Sequence, residues 1–152
     1  WKAKEEGKTG ILNPSPAPEG LPDELLELID YITPNETELR KLSESKIKDS
    51  DSLSQMAEYF VKKGVKNVIV TLGARGALWI SDSGEQLIAG TSSRALDTTG
   101  AGDAFIGCFS HSWTQSGDIA DSIRKANIYA GDAVTKRGTQ TSYATVKELK
   151  FS

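Results

Sequence analysis

Apolar residues in the first half of the chain alternate between short continuous runs and stretches with helical spacing. Three runs are typical of strands, at residues 9–13, 31–33 and 67–72. The last is continuous β-branched and apolar sequence, which predicts a strand covered on both faces. Helical spacing and helix-start residues predict three helices among them: Pro22–Ile29, Glu36–Leu42 and Asp51–Lys63.

The second half opens with a predicted hairpin, in which a turn at residues 82–85 joins strands 77–80 and 86–89. Two long helices are then expected, and Thr145 with Glu148 forms a capping box for a short final helix. The long helices run from about Gly102 to Gln115 and from Asp118 to Lys136. Alternating helices and buried strands predict an α/β fold, a doubly wound and mostly parallel sheet with helices on both faces.

The two ends of the chain suggest a piece of a longer protein. The first residue is Trp1, and the only methionine is Met56. The opening residues are typical of the last turns of a helix that ends at Gly7, a residue suited to a left-handed C-cap. We therefore expect further sequence upstream.

Composition narrows the class of protein. The 152 residues carry 18 Lys and Arg against 21 Asp and Glu, a net charge of -3 without a basic stripe, which argues against nucleic-acid binding. No apolar run is long enough to cross a bilayer. The single cysteine, Cys108, and single histidine, His111, cannot form a disulfide or a metal cage, so packing and surface roles are expected for them. A cytoplasmic location is expected.

The segment most informative about chemistry runs from Leu96 to Phe105, between a predicted strand and a long helix. Gly100 and Gly102 flank Ala101, so backbone N–H groups can converge on one point at the helix N-terminus. The helix dipole adds positive potential there, and the arrangement suits a phosphoryl group.

Asp103, in the first turn of that helix, has two interpretations. First-turn acids commonly stabilise the helix dipole. A carboxylate beside an anion hole can also accept the proton of a hydroxyl that attacks the phosphoryl group. Placement relative to substrate distinguishes these two roles.

Three ordered motifs carry a family resemblance. The run Asp97–Phe105 resembles the signature of the PfkB-type, ribokinase-like carbohydrate kinases. Residues 33–38 resemble that family's second motif, and residues 71–76 resemble its nucleotide-side strand and loop. Residues 13–18 and 138–142 are similar to those of its ribokinase members. The resemblance covers nearly the whole chain but only the C-terminal half of a kinase, so the sugar-binding and lid segments are expected upstream.

The resemblance implies roles for individual residues. Asp103 is expected to be the general base, and the N–H groups of Gly100, Ala101 and Gly102 are expected to steady the charge on the moving phosphoryl group. Asn35 and Glu38 are expected to organise Mg²⁺ through water, although Asn-x-x-Glu is also a capping box. The remaining residues implied to bind ATP are Thr71, Gly73, Gly76 and Asn127. For these, a plain turn or an ordinary helix position is the alternative.

A potassium site is also implied beside the anion hole. Asp97 would supply charge, and Thr99, Ala133 and Lys136 would supply backbone carbonyls. Gly138 and Ser142 would complete a shell of oxygen ligands, which suits a hard cation. The family often has proline before that serine, whereas this chain has Thr141, so a less rigid loop is expected.

The resemblance implies an ATP-dependent sugar kinase, expected to convert D-ribose and ATP to ribose 5-phosphate and ADP. Its expected partners are a small sugar and ATP, with no nucleic acid or membrane, and the full-length protein is expected to be a homodimer. The fragment alone is expected to be inactive. The alternatives are adenosine kinase or fructokinase activity, or a non-catalytic nucleotide-binding fragment.

Overall fold

The computed structural model describes most of the chain: residues 2–43, 52–145, 147–149 and 151. These residues lie in two compact units. The first unit comprises the described residues of 1–72 together with 78–87, and the second unit those of 73–77 together with 88–152.

Five strands form one sheet in the order β1-β2-β3-β4-β5. They are β1 (Ile11–Leu12), β2 (Tyr31–Ile32), β3 (Asn67–Thr71), β4 (Gly76–Ser81) and β5 (Gly84–Ala89). The first three are parallel, with Ile11 opposite Tyr31 and Ile32 opposite Val68. Only two residues separate β4 from β5, which makes that pair an antiparallel hairpin. The predicted α/β class with a mostly parallel sheet is confirmed.

Helices connect the parallel strands, as parallel pairing requires. In the described residues, α1 (Lys2–Glu5) precedes β1, and α2 (Asp23–Leu26) lies between β1 and β2. The helices α3 (Glu36–Ser43) and α4 (Leu53–Lys62) lie between β2 and β3. Two long helices, α5 (Ala101–Ser116) and α6 (Ile119–Ala133), follow the hairpin, and single 3₁₀ turns occupy Gly73–Arg75 and Gln140–Ser142.

Several predicted boundaries are wrong by a few residues. The strand predicted at residues 9–13 shortens to β1, Ile11–Leu12, and the proline-containing residues 13–18 follow it directly. The helix predicted from Pro22 ends at Leu26. The second long helix ends at Ala133 rather than Lys136, because the following residues turn back and the Gly138 N–H bonds to the Asp97 carboxylate.

Chain ends and one cap also differ from expectation. The start predicted for α4 at Asp51 lies outside the described residues, and Ser52 provides the cap, with Gln55 completing a capping box. Trp1 is likewise undescribed, but Gly7 has the left-handed conformation (φ 67°) expected of a C-cap. Thr145 and Glu148 do bond to each other, yet the described residues 147 and 148 form a turn and not a helix.

The core of the first unit surrounds β3. Val68, Ile69 and Val70 are completely buried, as expected for a strand covered on both faces. Phe60 of α4 and Leu39 of α3 pack in the same core. Within the described residues no helix has the length and apolar character needed to span a membrane.

The second unit is built on α5 and α6. Gly117, with φ 70°, ends α5, and the Asp118 side chain caps α6 by accepting the N–H of Asp121 at 2.9 Å. Phe109 and Ile123 are fully buried between the elements of this unit. The packing of α5 against α6 holds α5 in place, and the glycine-rich sequence lies at the N-terminus of α5.

An ion cluster that the sequence analysis did not identify stabilises the edge of the first unit. Asp30, only 6% exposed, accepts the Lys4 and Lys66 ammonium groups at 2.8 and 2.7 Å and the Gly10 N–H at 2.8 Å. Burial raises the pKa of Asp30, but these hydrogen bonds outweigh it and lower the pKa from 3.8 to about 2. Asp30 therefore joins α1, the start of β1 and β2 as a carboxylate.

We expect Asp30→Asn to lower the free energy of unfolding by about 1–2 kcal/mol at pH 7, since the bonded carboxylate is lost. Because folding lowers the pKa, the difference from wild type is fully present above about pH 4 and shrinks as the pH falls toward 2. Urea unfolding as a function of pH measures it. Asp23→Asn, which removes an exposed partner of Lys63, is the control and should have little effect. A difference that persists unchanged at pH 2 would contradict this account.

Candidate functional site

The glycine loop, residues 97–102, starts α5 in an unusual way. Gly100 occupies the N-cap position with φ 80°, a left-handed conformation that favours glycine. Its carbonyl accepts the N–H of Ala104 at 2.9 Å, and the N–H of Ala101 donates to the Thr98 carbonyl at 3.2 Å. In the described part of the chain the N–H groups of Gly100 and Gly102 have no acceptor, so they remain available to an anion.

Asp97 fixes the other end of the glycine loop. Its carboxylate accepts the N–H of Thr99 and the N–H of Gly138, both at 3.0 Å. The backbone and side-chain hydrogen bonds from Thr99, followed by that from Gly138, lower the pKa of Asp97 to about 2. A charged carboxylate therefore links the glycine loop to the segment after α6 at neutral pH.

Asp103 stands in the first turn of α5, exposed to solvent. It lines an open cavity of about 300 Å³ together with Gly107, Cys108, His111 and Tyr143. The carboxylate is thus accessible to a molecule that enters this cavity. The arrangement places an acceptor for a proton directly after the glycine loop, in the first turn of α5.

A packing role was expected for Cys108 and a surface role for His111. Cys108 is half-buried, burial raises the pKa of its thiol, and His111 is exposed. Among the described residues no three His, Cys, Asp or Glu side chains gather as a metal cluster. Trp79, expected to pack within its strand, donates its indole N–H to Asn67 at 2.9 Å.

Asn35 and Glu38 form the reciprocal capping box at the start of α3, in the first unit. The Glu38 carboxylate accepts the Asn35 N–H at 2.8 Å, and the Asn35 side chain accepts the Glu38 N–H at 2.9 Å. Thr71, the last residue of β3, forms a parallel bridge with Asn35. The structure therefore brings three predicted residues together at the carboxyl ends of β2 and β3.

Gly73, Gly76 and Asn127 belong to the second unit. Gly73 (φ 60°) begins a 3₁₀ turn, and Gly76 (φ 103°) lies so close to the end of β5 that a Cβ would collide with the Ile88 carbonyl. Gly73 and Asn127 line a second cavity, of about 200 Å³. The Asn127 amide donates to the carbonyls of Ile88 and Ala89 at 3.1 and 3.2 Å, which supports the wall of this cavity.

The segments implied in cation binding are also adjacent. The Ala133 carbonyl accepts the N–H of Lys136 at 3.2 Å, and Gly138 bonds to Asp97. Ser142 is buried, and its hydroxyl donates to the Thr139 carbonyl at 2.6 Å. The backbone N–H groups of Thr99 and Gly138 both donate to the Asp97 carboxylate, which brings these two segments together.

Tyr143 and Tyr129 were missed by the sequence analysis. The Tyr143 hydroxyl donates to the Gly100 carbonyl at 3.1 Å, and the Tyr129 hydroxyl donates to the Ala144 carbonyl at 3.0 Å. The signal that could have identified Tyr143 is its position directly after Ser142. That position is close to Thr141, which replaces the proline expected there from the family resemblance.

Comparison with models of known families gives a match along nearly the whole chain. The model of the pfkB family of carbohydrate kinases matches residues 1–146. The chain therefore belongs to the pfkB family of carbohydrate kinases.

Individual relatives are similar along nearly the whole chain. A deoxyribokinase of Salmonella typhi is 41% identical over 96% of this chain, and a ribokinase of Staphylococcus aureus is 42% identical over 97%. Both alignments cover 48% of the relative. A solved structure of Arabidopsis thaliana ribokinase complexed with ribose and ATP is 30% identical, with a TM-score of 0.85 over 98% of this chain and 50% of that chain. The chain spans about half the length of the relatives it matches.

Proposed function

We propose that this chain is the phosphoryl-transfer half of an ATP-dependent sugar kinase that converts D-ribose and ATP to ribose 5-phosphate and ADP. The observation that carries the proposal is the glycine loop at the start of α5, with Asp103 directly after it and open to a cavity. The membership in a kinase family supports it. In this proposal the segments that hold the sugar and cover it lie outside these 152 residues, since the chain covers 48% of the Salmonella typhi relative.

Asp103 is the general base of the proposed reaction. Its carboxylate accepts the proton of the sugar hydroxyl as the hydroxyl oxygen attacks the γ-phosphorus and ADP leaves. Exposure on the wall of the 300 Å³ cavity supports this role, because the base must reach a hydroxyl that belongs to another molecule.

The N–H groups at the start of α5 stabilise the transferred phosphoryl group. Those of Gly100 and Gly102 have no acceptor in the described part of the chain, whereas that of Ala101 already donates to Thr98. Gly100 and Gly102 therefore provide the principal donors, and Ala101 contributes through the shape of the turn. One such donor is typically worth about a hundredfold in rate.

We assign nucleotide contacts in each unit by itself. In the first unit we assign Asn35 and Thr71 to the phosphate side, where the bridge joins them. In the second unit we assign Gly73 and Asn127 to the base, because they line the 200 Å³ cavity, which has room for a flat ring. Gly76, close against the end of β5, is assigned to the same nucleotide side. Asn127 acts there by holding the end of β5, because its amide donates to two carbonyls.

Mg²⁺ fits the Glu38 side chain. The capping box engages one carboxylate oxygen, Oε2, and the other is left for a water molecule of the ion. When bound, the ion neutralises the phosphate charges. Glu38 orients that water while its capping bond holds the side chain in place.

Potassium fits the oxygen atoms around Asp97. The carboxylate is ionised at neutral pH, because hydrogen bonds hold its pKa near 2. The carbonyls of Thr99, Ala133 and Lys136, with Gly138 and Ser142, complete the proposed set. A bound cation would add positive potential beside the glycine loop.

An assay of ADP release with several sugars and nucleosides tests other substrate assignments. The Salmonella and Staphylococcus relatives are similar to the chain to nearly the same degree, so 2-deoxyribose is the second candidate sugar. Adenosine and fructose are further alternatives, as is nucleotide binding without catalysis. We also propose that the longer protein is a cytoplasmic homodimer. A panel of sugars and nucleosides assayed for ADP release from the longer protein distinguishes among these substrates and tests whether catalysis occurs at all.

Asp103→Asn in the longer protein should lower turnover by at least about 100-fold, because the amide cannot take the hydroxyl proton. Nucleotide affinity should change little. Coupled ADP release and calorimetric titration with ATP measure the two effects. A variant that keeps a third of wild-type turnover would remove Asp103 from the mechanism.

Potassium should increase turnover, and Asp97→Asn should diminish that increase, because the carbonyl ligands need a fixed negative charge nearby. Rates in potassium chloride are compared with rates in tetramethylammonium chloride at equal ionic strength. Equal wild-type rates in the two salts would refute the cation site.

The 152-residue chain alone should bind ATP and release no ADP in response to sugar. Catalysis here depends on holding the hydroxyl in line with the γ-phosphoryl group, and we place the sugar contacts outside this chain. ADP release is measured with and without ribose, with the Asp103→Asn chain as background. Ribose-dependent turnover at a rate typical of sugar kinases would contradict the proposed division.

A further inference from the structure

The segment that follows Ser142 makes a direct contact with the glycine loop. Tyr143 is half-buried, and its hydroxyl donates to the carbonyl oxygen of Gly100 at 3.1 Å. The two residues are 43 positions apart in sequence. This contact is unusual because it is made to the residue whose left-handed conformation starts α5.

The bond completes the anchoring of a single peptide group, the one between Gly100 and Ala101. Its carbonyl oxygen accepts two donors, the Tyr143 hydroxyl and the Ala104 N–H at 2.9 Å. Its N–H, on Ala101, donates to the Thr98 carbonyl at 3.2 Å. The plane of this peptide is therefore held at both ends. The unpaired N–H groups of Gly100 and Gly102 lie on either side of it, so their directions depend on its orientation.

Tyr143 rests on Gly100 closely enough to require glycine there. A Cβ on Gly100 would lie 2.8 Å from the Tyr143 hydroxyl oxygen and 3.3 Å from Cγ2 of Thr139. The left-handed φ of 80° favours glycine independently. Glycine at 100 thus serves both the turn and the approach of the phenol.

The phenol itself is held in place. The Tyr129 hydroxyl, from α6, donates to the Ala144 carbonyl at 3.0 Å, and the two tyrosine rings lie 6.3 Å apart. These contacts hold the phenol beside the Gly100 carbonyl.

We propose that Tyr143 is a positioning residue for phosphoryl transfer, whose hydroxyl orients the Gly100–Ala101 peptide and thereby aims the N–H groups of Gly100 and Gly102 at the transferred group. This inference rests on the function proposed above. It also gives Thr141 a physical context, because the tyrosine fixes a loop that lacks the proline expected before Ser142.

The test uses Tyr143→Phe, which removes the hydroxyl and keeps the ring. If the hydroxyl aims the loop, the 152-residue variant should lose about five- to tenfold in affinity for MgATP, which carries the γ-phosphoryl group. Its affinity for MgADP should stay within about twofold of wild type. A merely structural role would change both nucleotides together. Titration calorimetry measures the four dissociation constants.

Tyr59→Phe is the matched control, since it makes the same chemical change on α4, in the first unit. It should leave both affinities unchanged. Thermal unfolding checks that both variants fold, and the loss of one hydrogen bond should lower Tm by no more than a few degrees.

The outcomes separate the two proposals. A wild-type chain that binds neither nucleotide would overturn the proposed function. A wild-type chain that binds MgATP, with a Tyr143→Phe variant of equal MgATP affinity, would overturn the role of Tyr143 alone. Parallel losses for MgATP and MgADP would also overturn it, because they would indicate a general loosening of the nucleotide site.

Discussion

The orientation of one peptide group, between Gly100 and Ala101, is the constraint on which the candidate site depends. Three hydrogen bonds hold it, from Tyr143 and Ala104 to its carbonyl and from its N–H to Thr98. A left-handed glycine makes the turn possible, and the long helix that follows adds its dipole at the same point. The N-terminal N–H groups of α5 and the position of Asp103 follow from this single arrangement.

Structural roles and proposed functional roles coincide at several residues. Asn35 and Glu38 cap α3, which explains their spacing without any ligand, yet the same bonds hold one side chain in a position suited to a hydrated cation. Asp97 likewise joins two loops and supplies a fixed negative charge. A stability measurement alone would not test the proposed second role of such residues, so their tests require ligands.

Local patterns predicted most of the fold, because helix caps and buried strands act over a few residues. The cap of α4 is Ser52, and α2 proved short, since boundaries depend on neighbours that periodicity does not describe. The glycine loop was recognisable because its residues are contiguous. The Asp30 cluster and the Tyr143 contact were not, because they join residues 20 to 43 positions apart. Asn127 was placed near the nucleotide, but its bonds to β5 depend on tertiary packing.

The most direct test of the central claim is a nuclear magnetic resonance titration of the ¹⁵N-labelled chain with MgATP and, separately, MgADP. The account predicts that the amide signals of Gly100 and Gly102 shift strongly with MgATP and much less with MgADP, because only the former brings a γ-phosphoryl group to them. Saturable MgATP binding that leaves both glycine signals unmoved would contradict the claim that this loop receives the transferred group.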